Sequence, residues 1–168
     1  QSLQHFYSVK DIEETLPDNN LRCIHKIDDD EVFIGTSDGL CVLNVKNKIF
    51  RRIDLATLTN HQSPRLDVSK IISFNDDEIM LSTYTDGLYI YNFKNNTATH
   101  ISKFDRRNAI SDNYIYDVFK DENGSVWVAT FTGLNRFENN LARFSTINIF
   151  KNGSLLSINY FIEMNDGN

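Results

Sequence analysis

Apolar residues are grouped in short runs along this chain, and three of the runs share one pattern. Each ends in a small residue and a threonine, and a glycine-leucine pair follows after a short gap; the runs are 32–36, 79–83 and 126–130. The glycines stand at positions 39, 87 and 133, so their spacings are 87 − 39 = 48 and 133 − 87 = 46 residues. A repeat of this length, built from short strands and turns, is typical of a stacked or circular β architecture.

Each copy of the repeat is predicted to contain four strands, because short β-branched and aromatic runs alternate with clusters of Asn, Asp and Gly. The predicted strands are 21–27, 31–36, 40–45 and 49–53, then 68–74, 78–83, 88–93 and 98–102, and finally 115–120, 126–130, 134–137 and 142–145. The second strand of each copy is apolar on both faces, so both faces of its sheet must be covered. Four-stranded antiparallel sheets that lie between similar sheets are the blades of a β-propeller.

The sequence therefore predicts an all-β fold, a partial β-propeller of about three blades and the start of a fourth. An all-β solenoid is the competing architecture, although solenoid repeats are usually shorter. The predicted divisions are blades at about 20–53, 66–102 and 111–145, the start of a next blade at 156–168, and an outer strand of a closing blade at 3–9. Because propellers contain from about four to eight blades, we expect residues 1–168 to be the N-terminal part of a propeller in a longer protein.

Charge and cysteine content restrict the class of protein. A total of 17 Lys and Arg against 23 Asp and Glu gives a formal net charge of −6, which argues against a nucleic-acid binder because such proteins usually carry a basic stripe. No apolar run reaches the length of about 18 residues that a membrane-spanning helix needs, and we expect any signal peptide to be removed or to lie upstream. Cys23 and Cys41 are predicted to lie roughly 9–10 Å apart on one sheet, beyond disulfide distance.

The third copy resembles the two-component regulator propeller repeat. Its matching features are an aliphatic strand, Asp-x-x-Gly at 121–124, an aliphatic-Trp-aliphatic-small-Thr strand at 126–130, Gly-Leu at 133–134 and a closing aromatic at 137. The other copies depart from this pattern, because Phe33 and Met80 replace the tryptophan and an extra residue is inserted near Tyr84. The first turns of those two copies also lack the glycine. The resemblance covers about three quarters of the chain.

The resemblance implies a non-catalytic sensor segment in the periplasm. Such propellers are similar to the extracytoplasmic region of Bacteroides-type hybrid two-component histidine kinases, which transduce signals in response to oligosaccharides. The implied partners are an oligosaccharide, the remaining blades, a second propeller or immunoglobulin-like module of the same chain, and a second copy in a homodimer. No nucleic-acid or membrane contact is implied for this segment. The alternatives are a general interaction propeller without its own ligand site and a carbohydrate-active enzyme.

Few residues indicate chemistry directly. The four histidines, at 5, 25, 61 and 100, form no closely spaced ligand motif, so the sequence indicates no metal site and no cofactor. The acidic turns lack the ligand spacing of an EF-hand and are predicted to be solvated hairpin tips. Trp127 is predicted to pack between blades rather than to stack on a sugar. No catalytic residues are predicted, because paired acids facing one cleft, a nucleophile elbow and a phosphate loop are not indicated.

A ligand is expected on one rim of the propeller. The connections between blades and the turns between second and third strands share that rim, and binding residues concentrate on loops held by a rigid scaffold. Arginine and tyrosine can hold a hydroxylated or anionic sugar through forked hydrogen bonds and stacking. The candidate ligand-binding residues on this rim are Arg106, Arg107, Tyr84, Asp86, His61, Arg65 and Phe131.

Overall fold

The computed structural model describes residues 5–9, 14–63, 65–138, 141–151, 154–155 and 158–162. Within these residues the chain forms three four-stranded antiparallel sheets, a two-stranded hairpin and a short helix. The strands of each sheet are consecutive in the chain, and each pairs with the next one. The predicted all-β fold with propeller-like, four-stranded blades is confirmed.

The strand bounds lie close to those predicted from the hydrophobic pattern. The first sheet contains β1 (Leu21–Lys26), β2 (Glu31–Thr36), β3 (Gly39–Asn44) and β4 (Ile49–Ile53). The second contains β5 (Val68–Ser73), β6 (Glu78–Thr83), β7 (Leu88–Asn92) and β8 (Thr97–Ile101). The third contains β9 (Ile115–Lys120), β10 (Val126–Thr130), β11 (Gly133–Glu138) and β12 (Arg143–Ile147). The hairpin is formed by β13 (Phe150–Lys151) and β14 (Ser154–Leu155).

The connection between the first and second sheets contains a helix that the sequence analysis did not predict. This helix, α1, spans Leu55–Thr59. The Asp54 carboxylate accepts a hydrogen bond of 3.1 Å from the Thr57 backbone N–H at its start, and Asn60 ends it in the left-handed region at φ 51°. Leu55 is buried in the core between the two sheets, and this contact fixes the connection against the second blade.

The repeated threonine and glycine form one structural unit in every blade. The threonine that ends the second strand is buried, and its hydroxyl donates a hydrogen bond to the carbonyl oxygen of the turn glycine. The three bonds are Thr36 to Gly39 at 3.0 Å, Thr83 to Gly87 at 2.9 Å, and Thr130 to Gly133 at 2.8 Å. Because a buried carbonyl group without a partner is costly, the repeated threonine is explained by the turn that it closes.

The first strand of each blade carries a β-bulge at the same position of the repeat. One residue of each first strand has no partner on the second strand, and these residues are Arg22, Ser69 and Tyr116. A bulge bends its strand and increases the local twist. The bulged strands contact one another, β1 against β5 and β5 against β9, so the first strands of the three blades lie together on the inner side of the stack.

The second sheet is packed on both faces. Leu81 of β6 is fully buried in the core shared with the first sheet. Its neighbour Met80 is equally buried in the core shared with the third sheet. Adjacent residues of a strand point to opposite faces, so the apolar pattern of this strand reflects contact with a blade on each side.

Small residues allow the blades to approach closely. A Cβ atom built on Gly35 of β2 would lie 2.6 Å from the Cys23 Sγ atom and 2.7 Å from a methyl group of Val68 in the second sheet. Cys23 and Cys41 are free thiols, and burial raises the pKa of Cys23 to about 11 and that of Cys41 to about 12. Both thiols therefore stay protonated and serve as small apolar side chains.

Two of the predicted divisions extend outside the described residues. Within the predicted closing strand at 3–9, residues 5–9 are described and have no strand assignment. The Phe6 ring packs against Phe50 of β4 at a centroid distance of 5.3 Å. Residues 158–162 of the predicted next blade also have no strand assignment. The closing blade and the next blade therefore stay predictions.

Candidate functional site on the blade rim

Blade connections and the turns between second and third strands share one rim. A backbone hydrogen bond joins the two segments in each blade, and the donors recur every 47 residues (84 − 37 and 131 − 84). The bonds are Ser37 N to Asn20 O at 2.9 Å, Tyr84 N to Asp67 O at 3.1 Å, and Phe131 N to Tyr114 O at 3.0 Å. Tyr84 and Phe131, which the sequence analysis placed on this rim, follow the second strands of the second and third blades.

Aromatic rings line the inner part of this rim. The Tyr114 ring lies 6.3 Å from that of Tyr84 and 5.4 Å from that of Tyr116, measured between centroids. The Arg22 guanidinium lies over the Tyr84 ring, 5.4 Å from its centroid. Two hydrogen bonds of 2.9 Å to the Asp67 carboxylate hold that guanidinium in place. Arg22, Tyr114 and Tyr116 were not among the predicted site residues, because they lie at the ends of inner strands and not in the loops where binding residues concentrate.

Two rings of the rim are open to solvent. Phe131 is 58% exposed and Tyr114 is 40% exposed. In Arg65, another predicted candidate, the Nε atom donates a hydrogen bond of 2.7 Å to the Ser37 carbonyl oxygen. Arg65 therefore stabilises the turn of the first blade, whereas Phe131 and Tyr114 present free aromatic surface.

A second cluster forms around the turn of the second blade. Three residues lie between Thr83 and Gly87 in this turn, against two between Thr36 and Gly39, which is the insertion noted in the sequence. The Asp86 backbone N–H donates a hydrogen bond of 2.9 Å to the Thr83 hydroxyl. The longer turn thus holds Asp86 in a fixed position at the outer side of the rim.

His61 and His100 both contact Asp86. The His61 Nε2 atom lies 2.9 Å from Asp86 Oδ1, and the His100 Nε2 atom lies 2.7 Å from the Asp86 carbonyl oxygen. The two imidazole rings stack at a centroid distance of 3.9 Å and an interplanar angle of 17°. Burial and the bond to Asp86 raise the pKa of the Tyr89 phenol, which donates a hydrogen bond of 2.5 Å to Asp86 Oδ2.

This cluster joins residues that are far apart in the chain. His61 follows α1, Asp86 lies in a turn and His100 lies in β8. His61 and Asp86 were predicted as separate candidates, whereas His100 and Tyr89 were not predicted. No short-range motif connects these positions. These residues could have been found from the rule that a blade connection packs against the neighbouring outer strand.

Arg106 and Arg107 lie at the outer edge of the stack. Both are exposed, and neither guanidinium has a hydrogen-bond or ion-pair partner among the described residues. They line a shallow cleft of about 350 Å³ together with His100 and Asp105. A second shallow cleft of about 430 Å³ lies between them and Arg143 near the start of β12. The two arginines therefore lie next to His100 in the first cleft, and they are separate from the inner aromatic rings.

The opposite rim is formed by the acidic turns. The Asp28 Oδ1 atom accepts hydrogen bonds of 2.8 Å from the backbone N–H groups of Asp30 and Glu31, as expected of hairpin tips that use their own carboxylates. In the third blade, the Trp127 indole N–H donates a hydrogen bond of 2.9 Å to Asp121. This bond is the largest cause of a lowered pKa at Asp121.

The Trp127 side chain contacts residues of its own blade. It is half-buried, and the Arg136 guanidinium lies over its ring at 5.2 Å from the centroid. Its neighbours Val126 and Val128 lie in the core between the second and third sheets. Trp127 alternates with them, so it lies on the other face of the third sheet.

Residues 109–132 match a family model described as two component regulator propeller. This segment is similar to the two-component regulator propeller repeat. The matched segment runs from the connection before β9 to the turn after β10, and so includes Tyr114, Trp127 and Phe131. No curated protein matches the chain in sequence.

Solved structures show the same fold. The extracellular domain assigned to the hybrid two-component system BT3049 of Bacteroides thetaiotaomicron superposes with a TM-score of 0.69 at 20% identity, over 86% of this chain and 19% of that one. The extracellular domain assigned to the one-component system BT4673 gives 0.66 at 25% identity, over 84% and 18%. PorZ, a surface component of the type-IX secretion system of Porphyromonas gingivalis, gives 0.59 at 12% identity, over 81% and 20%.

The chain spans about a fifth of the length of these structures. The likeness to the two structures below 25% identity concerns the fold alone. Among the described residues, no helix is long and apolar enough to cross a membrane.

Proposed function

We propose that this chain is part of the extracytoplasmic sensor of a hybrid two-component regulator, and that its propeller binds an oligosaccharide as the signal. The regulator propeller repeat at 109–132 and the likeness to extracellular domains of two-component systems support the class of protein. In this proposal the segment lies in the periplasm and has no catalytic activity of its own.

The exposed aromatic rings of the inner rim carry the proposal for ligand binding. Phe131 and Tyr114 present flat apolar surface, and the Arg22 guanidinium is held beside Tyr84 by Asp67. A sugar ring has apolar C–H faces and a polar edge, so it fits an aromatic surface that is next to fixed hydrogen-bond donors. Both elements are supplied by the inner strands and turns of a rigid scaffold, which limits the entropy lost on binding.

Signal transfer in the proposed parent protein depends on differential binding. The remaining blades and a second propeller or immunoglobulin-like module would complete the sensor, and two copies would form a dimer. An oligosaccharide that binds one arrangement of this dimer better than another shifts the balance between them. A membrane helix of the parent protein carries that shift to the kinase, and the coupling is limited by the difference in affinity.

Replacing Phe131 with alanine tests the rim site. The exposed ring has little role in the core, so the variant is expected to fold as the wild type does. Loss of one stacking ring is expected to weaken binding about tenfold or more, corresponding to at least about 1.4 kcal/mol. Calorimetric titration with short oligosaccharides from xylan, arabinan, pectin and chondroitin sulfate measures the affinity.

Phe104→Ala is the matched control, because Phe104 is 77% exposed and lies at the outer edge instead of the inner rim. Its affinity for the same saccharide is expected to equal that of the wild type. The Arg106→Ala/Arg107→Ala double variant examines the outer clefts. If this double variant loses binding while Phe131→Ala retains it, the ligand lies at the outer edge and the inner-rim site is wrong.

A propeller that serves only as an interaction module is the second candidate function. The observation in its favour is that several polar groups of the rim are already paired internally, as in Arg65 with Ser37 and Arg22 with Asp67. Failure of every saccharide to bind would support this alternative. Turnover of a saccharide by the purified chain would instead contradict the non-catalytic assignment.

A further inference from the structure

Three side chains on the outer side of the rim form a compact group of metal-ligand type, which we name the His–Asp–His cluster: His61, Asp86 and His100. Each offers one ligand atom, and these atoms all lie within 4.8 Å of one another. The cluster is separate from the exposed aromatic rings to which the saccharide proposal refers. It is therefore a separate candidate binding site.

The chemistry of the ligands favours zinc. Imidazole nitrogen and carboxylate oxygen are ordinary zinc ligands, and a site with three protein ligands keeps a fourth position for water or another molecule. Zinc-to-ligand distances near 2.1 Å place neighbouring ligand atoms of a tetrahedral site about 3.4 Å apart. His61 Nε2 and Asp86 Oδ1 already lie 2.9 Å apart. Because the two imidazole rings are stacked at an interplanar angle of 17°, one ring must rotate about its side-chain torsions so that both nitrogens point at one ion.

The surroundings of Asp86 hold its carboxylate in position. The Tyr89 hydroxyl donates to Asp86 Oδ2 at 2.5 Å, which leaves Oδ1 facing His61. Partners of this kind, one step removed from a metal ligand, orient the ligand and strengthen metal binding. The hydrogen bond of Asp86 N–H to the Thr83 hydroxyl fixes the backbone at the same point.

The cluster is also accessible. The Asp86 side chain is 15% exposed and the His61 side chain 37% exposed, so an ion needs no opening of the core. His100 lines the shallow cleft next to Arg106, which provides a path from solvent. To bind a metal through Nε2, His61 must give up its hydrogen bond to Asp86 Oδ1, and His100 must give up its hydrogen bond to the Asp86 carbonyl oxygen. Each imidazole then carries its proton on Nδ1, which leaves the Nε2 lone pair free for the ion.

We propose that His61, Asp86 and His100 together bind one zinc ion, with water in the fourth position. The ion links the connection after α1 to the turn and the outer strand of the second blade. Zinc thereby fixes the connection between the first two blades, since a ligand that binds only the folded state stabilises it. This inference does not depend on saccharide binding.

Calorimetric titration of the chelator-treated chain with zinc chloride tests the proposal. The wild type is expected to bind one zinc ion per chain. His61→Ala and Asp86→Asn are each expected to weaken binding by about 100-fold or more, because loss of a direct ligand costs at least as much as loss of its supporting partner. Circular dichroism checks that each variant is folded. Because His61 is partly exposed, its replacement is expected to disturb folding less than the replacement of Asp86.

Two matched control variants show whether a loss of zinc binding is specific to the His–Asp–His cluster. His25→Ala removes a histidine that bonds to Ser73 in the inner strands at 2.9 Å, and Asp38→Asn changes the corresponding aspartate in the turn of the first blade. Both are expected to bind zinc as the wild type does. Cobalt chloride added to the wild type is expected to give the visible absorption of a four-coordinate ion, and His61→Ala is expected to lack it.

The proposal is overturned if the wild type shows no zinc binding in calorimetry. It is equally overturned if His61→Ala and His25→Ala bind zinc with the same affinity, since the ion then lies elsewhere. Cobalt absorption that is identical in the wild type and His61→Ala would lead to the same conclusion.

Discussion

Replacing Gly87 with alanine is expected to destabilise the chain by about 3–5 kcal/mol. Gly87 has a φ of +75°, a conformation that alanine adopts only at a cost, and an added Cβ would overlap the carbonyl oxygen of Ile101 in β8. The backbone there is held on both sides, because Gly87 N–H donates to Asn113 O at 3.0 Å and Gly87 O accepts from Thr83 N–H at 3.0 Å. Urea denaturation followed by circular dichroism measures the free energy of unfolding.

Gly124→Ala is the control for backbone strain alone. Gly124 has a similar φ of +80°, but an added Cβ would approach only the Lys120 Cε atom, at 4.0 Å. Its expected cost is about 1–2 kcal/mol. Equal losses of stability in the two variants would show that the added Cβ at position 87 does not clash with the Ile101 carbonyl oxygen.

The adjacent residues Met80 and Leu81 are both expected to be intolerant of truncation. Each is almost completely buried, at 1% and 0% exposure, but in different cores, Met80 against the third sheet and Leu81 against the first. Replacement of either by alanine removes packed methylene groups and leaves a cavity, with an expected cost of about 2–5 kcal/mol. Chemical denaturation of the two single variants measures both values.

This pair distinguishes a stacked blade from an ordinary sheet with one wet face. In such a sheet, one of two adjacent positions would tolerate alanine with a loss below about 0.5 kcal/mol. Ile24→Ala serves as the reference for a solvent-facing strand residue, because Ile24 of β1 is 66% exposed. A Met80→Ala or Leu81→Ala variant that is as stable as Ile24→Ala would contradict the packing of the second sheet between two others.

The sequence contained enough local information to predict the strands and their grouping into blades. Alternation of apolar runs with Asn, Asp and Gly depends on near neighbours, and so does the threonine that bonds to the turn glycine in every copy. The rim could also be assigned, because the order of strands in a blade decides which connections lie at the same end. These features needed no knowledge of contacts between distant residues.

Features that depend on contact between blades were not predictable in this way. The His–Asp–His cluster unites a connection, a turn and an outer strand, and its members share no motif. The inner bulges at Arg22, Ser69 and Tyr116 arise where the first strands converge, so only packing reveals them. The position of Arg106 and Arg107 at the outer edge likewise depends on the path of their connection past β8 and β12.

Helix α1 was missed for a different reason. Its five residues, Leu55–Thr59, are too few to show a helical period, and an isolated helix of that length is not stable in water. Capping by Asp54 and burial of Leu55 against the sheets stabilise it. The strands thus follow largely from the local sequence pattern, whereas α1 depends on tertiary contact.

Hydrogen–deuterium exchange with and without a bound oligosaccharide shows whether this rim of the propeller holds the proposed ligand. We expect slower exchange in the turns at 84–87 and 131–133 when the saccharide that binds most tightly in calorimetry is present. The turns of the opposite rim, at 28–31 and 121–125, are expected to exchange at unchanged rates. Protection of those opposite turns, with no change at 84–87 or 131–133, would show that the ligand does not bind at the proposed rim.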